Sequence, residues 1–330
     1  MIVVSTGCPA GIGPEVSVAA AATLHRTPCV LVGDERTLLL AAKRVGVPRA
    51  KLTEFDGEPA PGRIAVLPAG EPLSASDRRP GRPSKGAGAA QLAYIDAAYK
   101  LAKAHGAALV TAPVSKAVIA HSGARGAAHF TGHTEWLRDR DGAGASIMCF
   151  AAPGLVTSLV TTHLPLSRVP RSLTPDNVAL ATVWLARLLR ALDNELPLIA
   201  VASLNPHAGE GELFGREESR AIAPGIALAR RRLRGKARIE GPVGAETAYR
   251  NAWAGEYDGV VAMYHDQATI PMKLVAFGEA VNVTMGLSIV RTSVDHGTAY
   301  DIAWSGKADA TGMLRAMQLG QRLSNGASRR

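Results

Sequence analysis

A chain of 330 residues has room for about two domains at the usual ~150 residues each, and its composition, 47% hydrophobic and 20% charged, suits a globular protein that buries its core without staples. The formal charge of +9 comes from 37 basic and 28 acidic residues, yet the densest basic cluster, Arg230, Arg231, Arg232, Arg234 and Lys236, has no interleaved aromatic residue and continues a helical pattern from Gly225, so a solvated helix end is expected rather than a nucleic-acid surface. Cys8, Cys29 and Cys149 are scattered and without CxxC spacing, which excludes a disulfide framework or thiolate zinc site and points, with the absence of a basic region ahead of the first apolar residues, to a reducing cytoplasmic setting.

In chain order, Ile2 to Thr6 reads as a short strand that runs through Gly7, Cys8, Pro9, Ala10, Gly11, Ile12 and Gly13 into an alanine-rich helix from about Val16, with Pro14 in its first turn and Glu15 complementing its dipole. Such a turn either exposes backbone N–H groups to a phosphate or is simply tight; its spacing is neither the dinucleotide fingerprint nor a P-loop. A strand at Cys29 to Val32 and a helix at Glu35 to Val45 follow, then irregular Pro-rich sequence to Lys85 with one strand at Arg63 to Leu67. The basic stretch Arg78 to Lys85 reads as a surface connection. Helix resumes from Ala87 to His105, and a strand at Ala107 to Thr111 ends in APVSK, leaving Lys116 either to orient a substrate or to serve as a rim lysine. Alternating strands and helices predict an α/β domain with a largely parallel sheet.

Phe130 to Leu137 breaks at Gly132 and then turns helical, placing His133 and Thr134 at a helix N-terminus, where free N–H groups and the dipole favour anions; a plain Thr cap is the alternative. Gly142 to Thr162 is uncharged and long enough to span a bilayer, but Pro153 and Gly154 split it into two strands, so a membrane partner is not expected. Three apolar strands, Leu155 to Thr162, Leu198 to Leu204 and Gly259 to Met263, each end just before a histidine: His163, His207 and His265. Core packing does not require that repetition. Three imidazoles with an open position suit Zn²⁺, with Co²⁺ or Ni²⁺ also plausible and Mg²⁺ less well matched. Lys273, a further strand around Asn282 to Thr284, and Arg291 add cationic and amide groups suited to an anion. Only Ser324 to Arg330 reads as a disordered tail.

Six motifs in this order, GCPAGIGPE, FTGHTE, TTHLPL, NPHAGE, YHDQ with VNVTMGL, and RTSVDHGTAYD, resemble the 4-hydroxythreonine-4-phosphate dehydrogenase family of pyridoxal-phosphate biosynthesis. The resemblance runs from Gly7 to Asp309 and implies an α/β fold like that of isocitrate and isopropylmalate dehydrogenases, two α/β/α domains sharing an extended, mostly parallel sheet. We expect one domain at residues 1–125 plus 265–330 and the other at 126–264. It further implies a homodimer whose subunits both supply metal ligands to an active site at their interface. His163, His207 and His265 match the metal positions, and His133, Thr134, Lys273, Asn282 and Arg291 the positions that hold a phosphorylated substrate. His296, Gly297, Thr298, Ala299 and Asp301 resemble an adenosine-binding loop, in which a carboxylate at Asp301 favours NAD over NADP. Lys116, Asp266 and Glu246 are candidates for acid–base or supporting roles.

The activity so implied is metal-dependent, NAD-linked oxidation and decarboxylation of 4-hydroxythreonine 4-phosphate to 3-amino-2-oxopropyl phosphate. Cys8, where the family has an acidic residue, Glu246, where it has Asp, and Thr269 are departures that would also suit D-threonate or D-erythronate 4-phosphate, or an aromatic cis-dihydrodiol. A metal-dependent phosphohydrolase would leave the HGTAYD loop without a use, and a non-catalytic binding protein would require that neither metal nor NAD bind.

Overall fold

The computed structural model describes Met1–Ala327. The first stretch of chain forms β1 (Ile2–Ser5), α1 (Gly13–Thr23), β2 (Cys29–Gly33), α2 (Glu35–Arg44), β3 (Leu52–Glu54), β4 (Ile64–Pro68) and α3 (Lys85–Ala104). Then come β5 (Ala108–Thr111), α4 (Lys116–Ala120) and α5 (His133–Asp141). The middle of the chain forms β6 (Ile147–Ala152), β7 (Leu155–Leu159), α6 (Val169–Ser172), α7 (Pro175–Ala191), β8 (Leu198–Ala202) and α8 (Ala223–Leu233). It continues with β9 (Arg238–Val243), α9 (Ala245–Trp253), β10 (Gly259–Ala262), α10 (His265–Ala276) and β11 (Val281–Met285), and the chain ends in β12 (Arg291–Val294) and α11 (Thr311–Ala327).

Two compact units result: Met1–Gly144 with the chain from Leu287 onward, and Ala145–Gly286. These divisions differ from the expected ones at 125/126 and 264/265. The cause is packing, for α5 buries Trp136 and Leu137 in the first core while α10 buries Ala268, Met272 and Ala276 in the second. α11 also runs on through Ser324, whose Oγ donates to the Gly106 carbonyl at 3.3 Å, so the tail expected from Ser324 is helical as far as it is described. Ser328 to Arg330, the rest of that expected tail, lie outside the described residues.

In the first unit the strands lie in the order β3-β4-β2-β1-β5-β12, with every pair parallel. β1 and β2 read as unbroken apolar runs because helices cover both faces of such a sheet. Connections leave β1 toward β2 on one side and reach β5 on the other, so the sheet's direction of build reverses at β1 and β5. Ligands gather beyond the C-terminal ends of strands at such a reversal. Asp34 caps α2 by accepting from the Thr37 N–H at 2.8 Å, and Ser84 caps α3 through the Ala87 N–H at 3.0 Å, each worth about 1 kcal/mol.

In the second unit the order is β11-β6-β7-β10-β8-β9. β11, β6 and β7 pair antiparallel, and β7, β10, β8 and β9 parallel. The uncharged stretch from Gly142 is the β6–β7 hairpin turning at Pro153 and Gly154, and among the described residues no helix is long and apolar enough to cross a membrane. The order β7-β10-β8 brings the three strand ends that carry His163, His265 and His207 side by side.

Candidate active site

In the first unit the C-terminal end of β5 and the start of β12 meet the N-terminus of α5. Arg291 is 3% exposed, and its Nη2 donates to Thr111 Oγ1 at 2.6 Å. Burial pushes its guanidinium down to about 10, with Glu135 opposing, so it remains charged at neutral pH. Gly132 stands at the cap position just ahead of α5 and no side chain caps the helix, so the expected alternative of a Thr cap does not hold. Its first-turn N–H groups are therefore open to an anion. His133 packs edge-on against Phe130 with ring centroids 6.2 Å apart, and its Nε2 is buried without a hydrogen-bond partner. Burial lowers its pKa well below the usual value, with Arg291 and then Lys116 adding repulsion.

Gly132 leaves the space that makes this possible: a Cβ there would stand 2.8 Å from Glu135 Oε2 and 3.4 Å from Lys116 Nζ. A latch holds the other end of α5. Asp141 accepts from the Ser288 N–H at 2.7 Å, and also from Ser288 Oγ, Tyr99 and Lys103. Burial would raise that carboxyl, but these hydrogen bonds bring it down to about 2. The helix bearing His133 is thereby fixed to the chain that leads into Arg291.

In the second unit, Thr161 and Met263 run side by side beyond β7 and β10, with Thr161 Oγ1 donating to the Met263 carbonyl at 2.7 Å. The pair brings His163 and His265 together at a ring-centroid distance of 5.6 Å. Asp266 Oδ1 lies 2.7 Å from His265 Nδ1, an arrangement that favours one tautomer and leaves Nε2 as the nitrogen a metal could use. Gln267 ties the start of α10 to the neighbouring strand ends, its Nε2 donating to the Ser203 carbonyl at 2.8 Å and its Oε1 accepting from the Met263 N–H at 2.6 Å. Beyond β8, buried Glu218 accepts from the N–H groups of Leu204 and Asn205 at 2.9 and 2.8 Å. His207 follows with φ of 50°, in the left-handed region with Ala208 and Glu210, and its ring stands 6.3 Å from Phe214. Strain of this kind costs of order 1–3 kcal/mol per residue.

No group of three or more His, Cys, Asp or Glu among the described residues is arranged to hold a metal. Two of the three expected ligands, His163 and His265, stand together, and His207 is not grouped with them. The donor set nonetheless fits a borderline divalent ion: two adjacent imidazoles, one with its second nitrogen held by a carboxylate.

Back in the first unit, the Gly7–Glu15 turn spends its N–H groups on the protein itself. The Cys8 N–H donates to the Pro113 carbonyl at 3.0 Å, that of Gly11 to Cys8 at 3.0 Å and that of Ile12 to Thr298 at 3.1 Å. Of the two readings offered by its sequence, the tight turn is the one found. A Cβ at Gly11 would come within 2.9 Å of the Thr298 carbonyl, so glycine lets the loop from His296 to Asp301 dock on the turn. Glu15, though buried, accepts from the N–H groups of Trp304 and Gly306 at 2.5 and 3.1 Å. In the docked loop His296, Gly297 and Asp301 are exposed.

Residues 25–320 match the family model described as "Pyridoxal phosphate biosynthetic protein PdxA". The chain belongs to this family. A 4-hydroxythreonine-4-phosphate dehydrogenase of Acidithiobacillus ferrooxidans is 42% identical over 327 residues, which cover 96% of this chain and 94% of that protein. A protein of Bradyrhizobium diazoefficiens, provisionally named a D-threonate 4-phosphate dehydrogenase, is 37% identical over 350 residues, covering 99% and 97%. The crystal structure of 4-hydroxythreonine-4-phosphate dehydrogenase from Klebsiella pneumoniae superposes with a TM-score of 0.85 at 37% identity, over 98% of this chain and 99% of that one. Membership makes the chain an oxidoreductase.

Within this PdxA family member, His133, Thr134, Lys116 and Arg291 gather around one helix end, and His163, His265 and Asp266 form a second group. Asn282, on β11, has a buried Oδ1 that meets no donor among the described residues, while Lys273 lies exposed on α10. Glu246 sits in the first turn of α9 in a surface ion pair with Arg250 at 3.1 Å. Cys8 is buried with its Sγ 3.4 Å from Tyr300 Oη. Burial raises its thiol pKa, so it does not supply the charge of an acidic residue. Sequence reading missed Thr111, Asp141 and Glu218, which hold the functional groups in place. The signal for Thr111 is a polar residue closing an otherwise apolar strand; the other two carry none that distinguishes them from surface polar residues.

Proposed function

We propose that the chain is an NAD-linked, divalent-metal-dependent dehydrogenase that oxidises and decarboxylates 4-hydroxythreonine 4-phosphate. The observation that carries this reading is the cradle at the start of α5: an uncapped helix N-terminus, a buried Arg291 and an orphaned His133 Nε2, which together match a phosphate dianion. Thr134 and Lys116 border it. Lys273 and Asn282 are assigned to the substrate's remaining polar groups.

His163 and His265 would hold the metal, with His207 of the partner subunit as the third ligand. A homodimer is supported by the large apolar side chains left exposed on the segments that bear these histidines, Leu166, Leu213, Phe214, Ile270, Leu274 and Phe277. Zn²⁺ is the ion best matched to imidazoles, with Co²⁺ and Ni²⁺ next. NAD is assigned to the His296–Asp301 loop, where the exposed Asp301 carboxylate would accept from ribose hydroxyls and repel a 2′-phosphate. When bound, the two groups supply a hydride acceptor and a Lewis acid at the substrate hydroxyl.

The residues of the chain do the rest. Arg291, His133 and the α5 N–H groups anchor the phosphate and so orient the carbon that loses hydride. Asp266 is committed to His265, and Lys116, as an ammonium, is assigned to donate a hydrogen bond to the substrate and to return the proton to carbon after CO₂ leaves. The resulting ketone lies β to the carboxylate; loss of CO₂ leaves the electron pair as an enolate, and one proton returned to carbon gives 3-amino-2-oxopropyl phosphate.

A second reading has support from the Bradyrhizobium relative: D-threonate 4-phosphate offers the same phosphate and a hydroxy acid without the amine. Thr269 is buried with its Oγ1 3.5 Å from His265 Nδ1, one of the departures that would tune this choice. The test is NADH formation by metal-replete protein with 4-hydroxythreonine 4-phosphate, D-threonate 4-phosphate and D-erythronate 4-phosphate at equal concentration. Preference for the first is expected. Preference for a sugar acid would replace the substrate, and no NADH with any of the three would sink the reading.

A further inference from the structure

α2 presents Arg36, Leu40, Lys43 and Arg44 at the i, i+4, i+7, i+8 spacing of one helical face, and that face lines a cavity of about 900 Å³. Ser76, Arg78 and Arg79 from the basic loop line it too, as does Trp304. No carboxylate borders the space. Arg78 is a structural cation, buried with its Nη1 2.5 Å from the Leu73 carbonyl and 3.3 Å from Asp34 Oδ1. The side chains of Arg36, Lys43, Arg44 and Arg79 differ, for none makes a hydrogen bond or ion pair with any described residue.

Helix stability accounts for only part of this. Lys43 and Arg44 sit in the last turn of α2, where the dipole favours cations, but Arg36 sits in the first turn, where it is opposed, and Arg79 is on a loop. Four uncompensated positive charges converging on a concave surface raise its potential and call for a compact polyanion. Guanidinium forks recognise phosphate oxygens two at a time. The volume lies in the range of organic-ligand sites, roughly 300–1,000 Å³, and exceeds what two phosphoryl groups fill. Leu40 and Trp304 supply an apolar wall for the remainder. Trp304 is held rigidly, its indole N–H donating to the Pro9 carbonyl at 3.0 Å and its backbone to Glu15.

We propose that this cavity binds an organic diphosphate, the diphosphate held by Arg36, Lys43, Arg44 and Arg79 and the organic part laid against Leu40 and Trp304. The inference does not depend on the substrate assigned above. Two sources carry this chemistry: a free nucleoside diphosphate, and the diphosphate bridge of a dinucleotide.

The full-length protein is titrated by calorimetry at fixed ionic strength with inorganic pyrophosphate, ADP, NAD and NADP. An Arg36→Ala/Arg44→Ala variant is compared with an Arg231→Ala/Lys236→Ala control, in which exposed cations at the end of α8 are removed instead. We expect the cavity variant to weaken binding roughly tenfold or more and the control to leave it unchanged. If the cavity variant weakens pyrophosphate and ADP, the occupant is a free diphosphate; if it weakens only NAD and NADP, it is the dinucleotide. Unchanged binding of every probe in the cavity variant, which would leave NAD to the His296–Asp301 loop alone, equal weakening in both variants, or no binding of any of the four probes to the unaltered protein would overturn the proposal.

Discussion

The anion cradle around α5 and the histidine pair beyond β7 and β10 are built in opposite ways. In the cradle the charged group is buried, the helix end is uncapped, and a hydrogen-bonding atom, His133 Nε2, is kept from solvent with nothing to bond. Such an orphan costs about 1–3 kcal/mol, a cost one chain bears by its own packing and an incoming anion offsets. His163, by contrast, is exposed, His207 sits on left-handed backbone facing Phe214, and large apolar side chains around both face solvent. A site that works through fixed charge and dipoles can be finished within one chain, whereas one that works through converging lone pairs stays open until something else arrives.

The sharpest way to break this contrast is to remove a member of each set. His265→Ala should lower kcat by more than the roughly 10–100-fold that loss of an outer-shell partner costs, and should abolish bound metal in the purified protein. Full activity with unchanged metal content would end the metal assignment. Arg291→Met should keep the metal and instead raise KM for a phosphorylated substrate roughly 30- to 150-fold, the equivalent of about 2–3 kcal/mol for a charge-assisted contact. A fall in kcat with KM unchanged would mean that Arg291 is not a phosphate anchor. Asp266→Ala should weaken metal affinity roughly 10–100-fold while leaving the Co²⁺-substituted protein active at saturating metal, because only the orientation of His265 is lost. Unchanged affinity would make the Asp266 contact incidental.

Much of this was legible in the sequence where a local pattern decides the outcome. The apolar runs at β1, β2, β8 and β10 are strands because nothing polar interrupts them, β7 is one with Thr157 and Ser158 buried in it, and His163, His207 and His265 stand out because each follows such a run. β3 and β9 were not anticipated: β3 has three residues, β9 is interrupted by Gly241 and Pro242, and each forms the outer strand of its sheet. The unit boundaries were misplaced because α5 and α10 were assigned by motif, while long-range packing of Trp136 and Met272 decides which core each joins. In the cradle, His133 and Arg291 are 158 residues apart in sequence yet share one electrostatic environment, a proximity no spacing rule conveys. The basic loop from Arg78 read as a plain surface connection, because its relation to α2 exists only in three dimensions.

The smallest predicted effect tests the cradle without any ligand. Folded His133 resists protonation because burial, and then Arg291 and Lys116, disfavour its charged form, while Glu135 is the acidic neighbour that acts on Arg291. Below its ordinary value of 6.5 the unfolded chain takes up a proton that the folded chain refuses. The contribution of neutral His133 to stability is therefore complete above that value and is lost as pH falls from it through the depressed folded value. At one unit below the ordinary value this amounts to at most about 1.4 kcal/mol, or a shift of about 2 °C in Tm for a protein of this size. His133→Asn removes the titration, so its Tm should fall less than that of the unaltered protein between pH 7.5 and about pH 5.5. Other histidines titrate in both proteins and cancel in the difference. Parallel Tm profiles would show that His133 is not held neutral, and the cradle would then meet its anion with an imidazolium already in place.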